Sequence, residues 1–371
     1  MAQSRKSVAQ NAKLTPLEIT NFKSIKHIRL ETSRINIFIG KPNSGKSNLL
    51  EAMTLFNFIE RGTPDRPSTI RYKSLNQLFY DTDTSKNVTV KFGDEVAKLM
   101  FDRDLNTFIQ AINPNESTDA QNYSLNEPSS SIAYEFELSE HIGRPKKYKG
   151  QFASKMAMLN ADGSTLSTGK GAIHIENPVR KYDFKDGHSY GENFSRYLKQ
   201  HGENLYSIVR ERSEIRDWIK PFFDEYGLDF LMDFNTRTFE VQRIENGIAY
   251  KIPFELTPDT LRRMLFNIAA IYSNSGSVIL FEEPEAHSFP PYIKELSELI
   301  KADKHNTYFI TTHSPYFFSS MVEDSITYKD ICFFQVYFED YQTKIKKLSQ
   351  KELDLIWGSG VDVFFNIDSS R

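Results

Sequence analysis

Eight consecutive residues, Gly40-Lys41-Pro42-Asn43-Ser44-Gly45-Lys46-Ser47, match the pattern GxxxxGK[ST] without a mismatch. The pattern is phosphate chemistry. Its glycines let the backbone fold around an anion, and a helix beginning inside it points unpaired N–H groups at the same place. Lys46 then reaches the β- and γ-phosphates and Ser47 offers a hydroxyl to Mg²⁺. Gly40, Asn43, Ser44, Gly45, Lys46, Ser47 and Asn48 are the candidate contacts of a nucleoside triphosphate. A second group of chemical residues lies far downstream. In Ser277-Val278-Ile279-Leu280-Phe281-Glu282-Glu283-Pro284-Glu285, apolar residues run into adjacent acids. Glu282 is the candidate holder of Mg²⁺, directly or through water. Glu283 is the candidate base or orienter of an attacking water. A third segment, Thr307-Tyr308-Phe309-Ile310-Thr311-Thr312-His313-Ser314-Pro315, ends in a histidine suited to contact the γ-phosphate or that water.

The elements around these residues must bring them together. Ile35-Asn36-Ile37-Phe38-Ile39 reads as a buried strand feeding the loop, and Asn48 to Met53 as the helix leaving it. The run before Glu282 reads as a buried parallel strand whose C-terminal end delivers its acids to the ligand-binding edge of an open α/β sheet. Tyr292 to Lys301, apolar at Ile293, Leu296, Leu299 and Ile300, is the predicted helix joining this strand to the next. A right-handed βαβ unit then carries His313 to the same edge. Upstream, Leu256-Thr257-Pro258-Asp259 has the form of a helix start, with Thr257 as N-cap and Pro258 at the first position. Leu261, Leu265, Ile268 and Ile271 continue at helical spacing.

Composition bounds the rest. The chain has 371 residues, a formal net charge of −3 and a pI near 6.3. No global positive field therefore points to nucleic acid. Lys146-Lys147-Tyr148-Lys149, Arg180-Lys181 and Arg210/Arg212 are scattered basic residues, for which solvated surface is the commoner explanation. A single cysteine, Cys332, excludes an internal disulfide framework and fits a reducing cytoplasm. Met1 to Lys13 is polar and reads as neither signal peptide nor anchor. No apolar run approaches a bilayer's thickness, so no membrane role is expected.

In order, these motifs resemble the ABC-type ATPase heads of the SMC, RecF and overcoming-lysogenisation-defect (OLD) group, the AAA family ATPases of bacterial anti-phage defence loci. Leu17-Glu18-Ile19-Thr20-Asn21-Phe22-Lys23-Ser24-Ile25 is similar to that group's first strand and N-F-K-S turn. Glu282-Glu283-Pro284-Glu285-Ala286-His287 is similar to its EEPEAH motif, and Thr311-Thr312-His313-Ser314-Pro315 to its THSP loop. The resemblance covers roughly residues 15–60 and 240–320. It implies ATP and Mg²⁺ as cofactors, Glu283 and His313 as catalytic residues, and a homodimer or higher homo-oligomer with ATP between subunits. By position Thr257, Thr260 and Arg262 fall on the signature helix that would act in trans, although neither the usual glycine nor an LSGGQ-like run is present. Gln77 is the candidate for the glutamine that senses Mg²⁺, beside Ser47 and Glu282. OLD proteins also carry a TOPRIM nuclease domain, and too little chain follows His313 to hold one. Any nuclease or toxin activity is thus expected in a separate effector protein.

The expected fold is α/β, a P-loop NTPase with an ABC-ATPase-like mixed sheet, an antiparallel β subdomain and a helical insertion. Residues 1–140 are expected to form an N-terminal lobe containing the phosphate loop and the β subdomain. Residues 141–240 are expected to form an insertion with a short helical arm, and 241–371 a C-terminal lobe with the signature-like helix, acidic strand and histidine. Residues 88–101 and 132–138 alternate as strands, Asn113 to Ser131 reads as a loop, and 145–190 suggest no role. Glu192 to Tyr226 turns helical without long heptads. Ile331 to Phe338, a hairpin and a helix from Gln350 to Trp357 complete the sheet. The function expected is an ATP-hydrolysing, nucleotide-driven dimerisation switch controlling an effector. A RecF-type DNA-clamping repair ATPase and a slow-turnover nucleotide-gated scaffold are the alternatives, so DNA stays open as a partner.

Overall fold

The computed structural model describes residues 14–57, 69–112, 133–136, 148–151, 155–168, 178–185, 195–323 and 330–358. The expected loop Asn113 to Ser131, and Lys146 and Lys147, lie outside them. The chain begins with the hairpin β1 (Thr15–Phe22) and β2 (Ile25–Thr32), then β3 (Ile35–Ile39) and α1 (Lys46–Met53). Seven strands follow: β4 (Val88–Phe92), β5 (Glu95–Asp102), β6 (Thr107–Ile112), β7 (Ala133–Phe136), β8 (Tyr148–Gln151), β9 (Lys155–Leu159) and β10 (Thr165–Thr168). Next come β11 (Val179–Tyr182), α2 (Leu205–Glu211), α3 (Ser213–Asp224), β12 (Asp229–Asp233), β13 (Thr238–Glu245) and β14 (Ile248–Pro253). The remainder is α4 (Asp259–Ser273), β15 (Val278–Glu282), α5 (Pro290–Ala302), β16 (Thr307–Thr312), α6 (Pro315–Glu323), β17 (Ile331–Glu339), β18 (Gln342–Lys347) and α7 (Gln350–Gly358).

The central sheet has the order β11-β15-β16-β3-β17-β18, parallel throughout except for the antiparallel edge strand β18. Its middle strands are apolar on both faces because both faces are covered. Ile35, Ile37, Ile39, Ile279, Phe281, Tyr308 and Ile310 face one core, shared with helices α2 to α6. The alternate residues Phe38, Val278, Leu280, Phe309, Phe334 and Val336 face a second core. That core is shared with α1 and with an antiparallel sheet of order β10-β9-β6-β5-β4-β1-β2. Phe38 stacks between Phe334 and Phe309, with ring centroids 4.9 and 6.0 Å away. The expected mixed sheet and antiparallel β subdomain are thus the two sheets of one layered α/β structure.

The segment 141–240, expected as an insertion, is dispersed among other elements. Strands β9 and β10 extend the antiparallel sheet, and β11 is the edge of the central sheet. Helices α2 and α3 bury Leu205, Ile208, Val209, Ile215, Ile219 and Phe223 in the first core instead of standing out as an arm. Strands too short to show a period hid this arrangement. Strand β7, read as part of the β subdomain, pairs among the described residues with β8 alone. Helix α4 begins one residue later than the sequence suggests. Pro258 is its N-cap, and the Thr257 hydroxyl donates to the Phe254 carbonyl at 2.6 Å, closing the preceding turn.

One buried charge fastens α1 to both neighbouring segments. Glu51 is fully buried, where an unpaired carboxylate would be costly. It accepts from Lys23, in the left-handed turn between β1 and β2, and from Arg71 Nε at 2.7 Å. Burial lowers the Lys23 pKa, with Glu51 acting in the opposite direction. Replacing Glu51 with Ala strands the Lys23 ammonium and should cost about 3 kcal/mol of unfolding free energy in urea titrations. A loss under about 1 kcal/mol would reduce the cluster to an ordinary surface ion pair.

Candidate active site

Strand register builds the site. Glu282 pairs with Thr311 and Thr312 with Ile39, so the C-terminal ends of β15, β16 and β3 finish at one level, while β17, whose Gln335 pairs with Ile39, runs on to Glu339. The residues that follow, Glu283, His313 and Gly40, emerge side by side there. The phosphate loop is packed from behind by the β17–β18 hairpin. A Cβ on Gly40 would lie 2.1 Å from the Val336 carbonyl oxygen, and one on Gly45, whose φ is +98°, would lie 1.9 Å from Thr343 Oγ1. The Thr343 hydroxyl donates to the Ser44 carbonyl at 3.0 Å and lies 2.7 Å from Ser24 Oγ, which accepts from Asn48 Nδ2 at 2.7 Å. The Thr343 N–H also donates to the Ser24 carbonyl at 2.7 Å. The N-F-K-S turn thereby holds both the loop and the hairpin. Ser44 Oγ is buried without a hydrogen-bond partner among the described residues, a polar atom that fits a loop shaped for a polar ligand.

Lys46 Nζ donates to the carbonyls of Gly40 and Lys41 at 2.8 and 2.9 Å. Burial brings its pKa down to about 8, against the pull of Glu283 and Glu282. At the end of β15, Glu282 accepts the Ser47 hydroxyl on Oε1 and the Lys181 ammonium on Oε2 at 2.7 Å, with Arg71 Nη2 4.0 Å from Oε1. Burial would raise the Glu282 pKa, but Lys181, Ser47 and Arg71 outweigh it, and the carboxylate stays charged. The Ser47 hydroxyl and a Glu282 oxygen in contact fit a hard divalent cation, which typically takes one or two protein oxygens and keeps waters. Among the described residues no group of three or more His, Cys, Asp or Glu is placed to hold a metal ion.

Glu283 adopts φ 49°, uncommon for a non-glycine residue, and its N–H is fixed on the Thr311 carbonyl at 2.9 Å. Its Oε1 lies 3.4 Å from His313 Nε2, with the two side chains 44% and 32% exposed. Burial and then Lys46 lower the His313 pKa, with Glu283 opposing, so the imidazole is neutral at pH 7. Two residues on, Glu285 is buried and accepts from Thr312 Oγ1 at 2.5 Å and from the His313 N–H at 3.3 Å. It thereby fixes the loop that presents His313.

Not every predicted residue reaches this edge. Gln77 closes a capping box around its own turn, accepting from the N–H groups of Lys73 and Ser74 at 2.8 and 3.3 Å. Arg71, earlier in that segment, extends to Glu282 instead. Thr260 donates to the His287 carbonyl at 2.6 Å and Arg262 Nη2 lies 3.6 Å from Asp259, so the signature-like residues have partners within this chain. Sequence reading missed Lys181, Arg71 and Thr343. Only Glu285 carried a signal, as the next acid after Glu283 in the acidic motif.

The Glu285 carboxyl gives a pH signature. Burial raises its pKa from 4.5 to about 7 despite the bonds from Thr312 and His313. Between those values the folded protein holds a proton that the unfolded chain has released. Stability from this group is therefore full below about 4.5, is lost as pH rises to about 7, and is constant above that. Glu285→Gln should remove that slope from a plot of Tm against pH, and parallel plots for the two proteins would refute the assignment.

Residues 35–319 match the family described as AAA domain, putative AbiEii toxin, Type IV TA system. An uncharacterised protein of Methanocaldococcus jannaschii, MJECL10, is 34% identical over an alignment of 87 residues that covers 20% of this chain. The chain spans 40% of that curated relative's length. Among solved structures, an SMC head bound to the C-winged helix domain of ScpA aligns at TM-score 0.46 and 13% identity, covering 91% of this chain and 98% of the other. The SMC head domain from Thermotoga maritima aligns at 0.37 and 11%, covering 91% and 99%. An SMC head with extended coiled coil, bound to the C-terminal domain of ScpA and derived from Pyrococcus furiosus, aligns at 0.43 and 13%, covering 93% and 98%. With the match running from the strand that feeds the phosphate loop to the helix beyond His313, the chain belongs to the AAA-domain family of putative AbiEii toxins.

Proposed function

We propose that this protein hydrolyses ATP and uses the hydrolysis as a switch, closing as a homodimer on ATP and opening after cleavage to control a separate effector in anti-phage defence. The observation that carries the reading is the Glu283–His313 pair, 3.4 Å apart beside the phosphate loop. Lys46 and the loop amides bind the β- and γ-phosphates. Ser47 and Glu282 would hold Mg²⁺, which would supply positive charge beside the phosphates. Glu283 orients the attacking water and accepts its proton, and neutral His313 steadies the water or the γ-phosphate.

Dimerisation draws support from exposure. Glu283 and His313 are open to solvent at the surface, whereas phosphoryl transfer benefits from water exclusion, which a second copy laid over this edge would provide. Helix α4 is attached to the acidic turn by Thr260 on the His287 carbonyl and by Asn267 on the Pro284 carbonyl at 3.0 Å. A partner pressing on α4 would thus move the segment that carries Glu283. The family's description, which names a toxin–antitoxin system, supports control of a toxic effector. A cytoplasmic location fits the single cysteine, Cys332, which is buried and free. Among the described residues no helix is long and apolar enough to cross a membrane.

The test is phosphate release together with mass by light scattering, with and without ATP and Mg²⁺. Glu283→Gln should lower turnover at least about 100-fold while keeping ATP bound and the assembly closed. Wild-type turnover in that variant would remove Glu283 from the reaction. Lys46→Ala should abolish ATP binding, and an ATP-independent mass in the wild type would overturn the switch.

A further inference from the structure

Away from the phosphate loop, helices α3 and α5 enclose a cleft of about 490 Å³ whose lining is chemically one-sided. Three carboxylates, Asp217, Glu225 and Glu295, surround three aromatic side chains, Trp218, Phe222 and Tyr292. Among the described residues that line it, none is basic. The rings are mutually packed, with Trp218 and Phe222 centroids 4.6 Å apart and Phe222 meeting Tyr292 edge-on at 5.0 Å. Trp218, Phe222 and Tyr292 are each only partly buried, so the cleft is a lined opening on the surface.

The backbone reinforces the bias. Pro221, inside α3, brings no amide hydrogen to the Asp217 carbonyl one turn earlier, leaving an acceptor without its helical donor. Helix α3 also ends here, with Glu225 as its C-cap, and a helix C-terminus favours positive charge. Helix α5 starts here, yet its N-terminus is no anion site. Pro290 and Pro291 carry no N–H, and the amides of Tyr292 and Ile293 already donate to the Phe289 carbonyl at 2.9 and 3.2 Å. Burial, Tyr226 and Glu225 push the Tyr292 hydroxyl up to about 12, consistent with surroundings that resist further negative charge. The cleft thus offers acceptors, π-faces and almost no donors.

We propose that this cleft is the docking site for an arginine side chain presented by a partner protein. A guanidinium stacks on aromatic faces and spreads five N–H donors in a fork that carboxylates accept, matching both halves of the lining. The charge complementarity is with Asp217, Glu225 and Glu295, all exposed and none in the nucleotide site. The site is independent of the ATP reading. Its position on α5, the helix that follows the acidic turn, puts the contact next to the segment carrying Glu283.

The chain has two tryptophans, Trp218 and Trp357, so a Trp357→Phe background lets Trp218 emission report the cleft alone. The full chain is titrated with the peptide acetyl-Gly-Arg-Gly-amide and with its citrulline counterpart, which has the same shape without the charge. A saturable change with the arginine peptide at about millimolar concentration is expected from a contact of this size. The citrulline peptide should bind at least about 10-fold more weakly. The combined D217N, E225Q and E295Q variant, altered only at exposed positions, should lose arginine binding while phosphate release is unchanged. Equal response to the two peptides, no saturable response, or undiminished binding in the variant would each overturn the proposal. So would self-association of the wild type that disappears in that variant while the peptides remain inert, because the occupant would then be a second copy.

Discussion

The site depends on the register of parallel strands. Because β15, β16 and β3 run in one direction and end level, residues from widely separated parts of the sequence emerge at one edge without any of them needing its own specificity. A one-residue slip between β15 and β16 would exchange the faces of Val278 to Phe281 and bury the wrong set in each core. The apolar alternation that fills two cores therefore also fixes the positions of Glu282, Glu283 and His313. Stability and chemistry are set by the same pairing.

Around that edge the charges of Glu51, Glu282 and Lys46 are each held by partners. Glu51 holds Lys23 and Arg71, Lys181 and Ser47 occupy the two oxygens of Glu282, and Lys46 rests on backbone carbonyls. Arg71 joins two of these groups, bonded to Glu51 and 4.0 Å from Glu282. A change of charge at Glu282 is therefore felt at α1 and at the β1–β2 turn, through contacts of a few ångströms in a medium of low polarity.

What was legible in the sequence was whatever local pattern expresses. The phosphate loop, the acidic strand, the histidine strand and the helix between them announce themselves through turn residues and apolar runs, and the structure has them within a residue or two of the expected bounds. Lys181 was not legible, because a four-residue strand has no period and its parallel partner lies about 100 residues away in the chain. Gln77 misled for the opposite reason. A glutamine three residues after Ser74 serves equally as a capping-box residue, and local bonding claimed it. The helices of 192–226 showed an apolar face but nothing to say what covers it, and α4 proved to be the answer.

Thr343 has a consequence for how the protein comes into being. Its hydroxyl supports Ser44 and meets Ser24, and its methyl and hydroxyl fill the space that a side chain at position 45 would need. The nucleotide loop, Gly40 to Ser47, thus has its back wall supplied some three hundred residues later in the chain. During synthesis the nascent chain carries the complete phosphate motif long before it has a phosphate site. Contacts of such long sequence separation are paid for late in loop-closure entropy and form slowly. A ribosome-bound or prematurely ended chain would therefore lack a finished loop however intact its motif, and the ability to bind ATP would mark the molecules that have been made to the end of the β17–β18 hairpin.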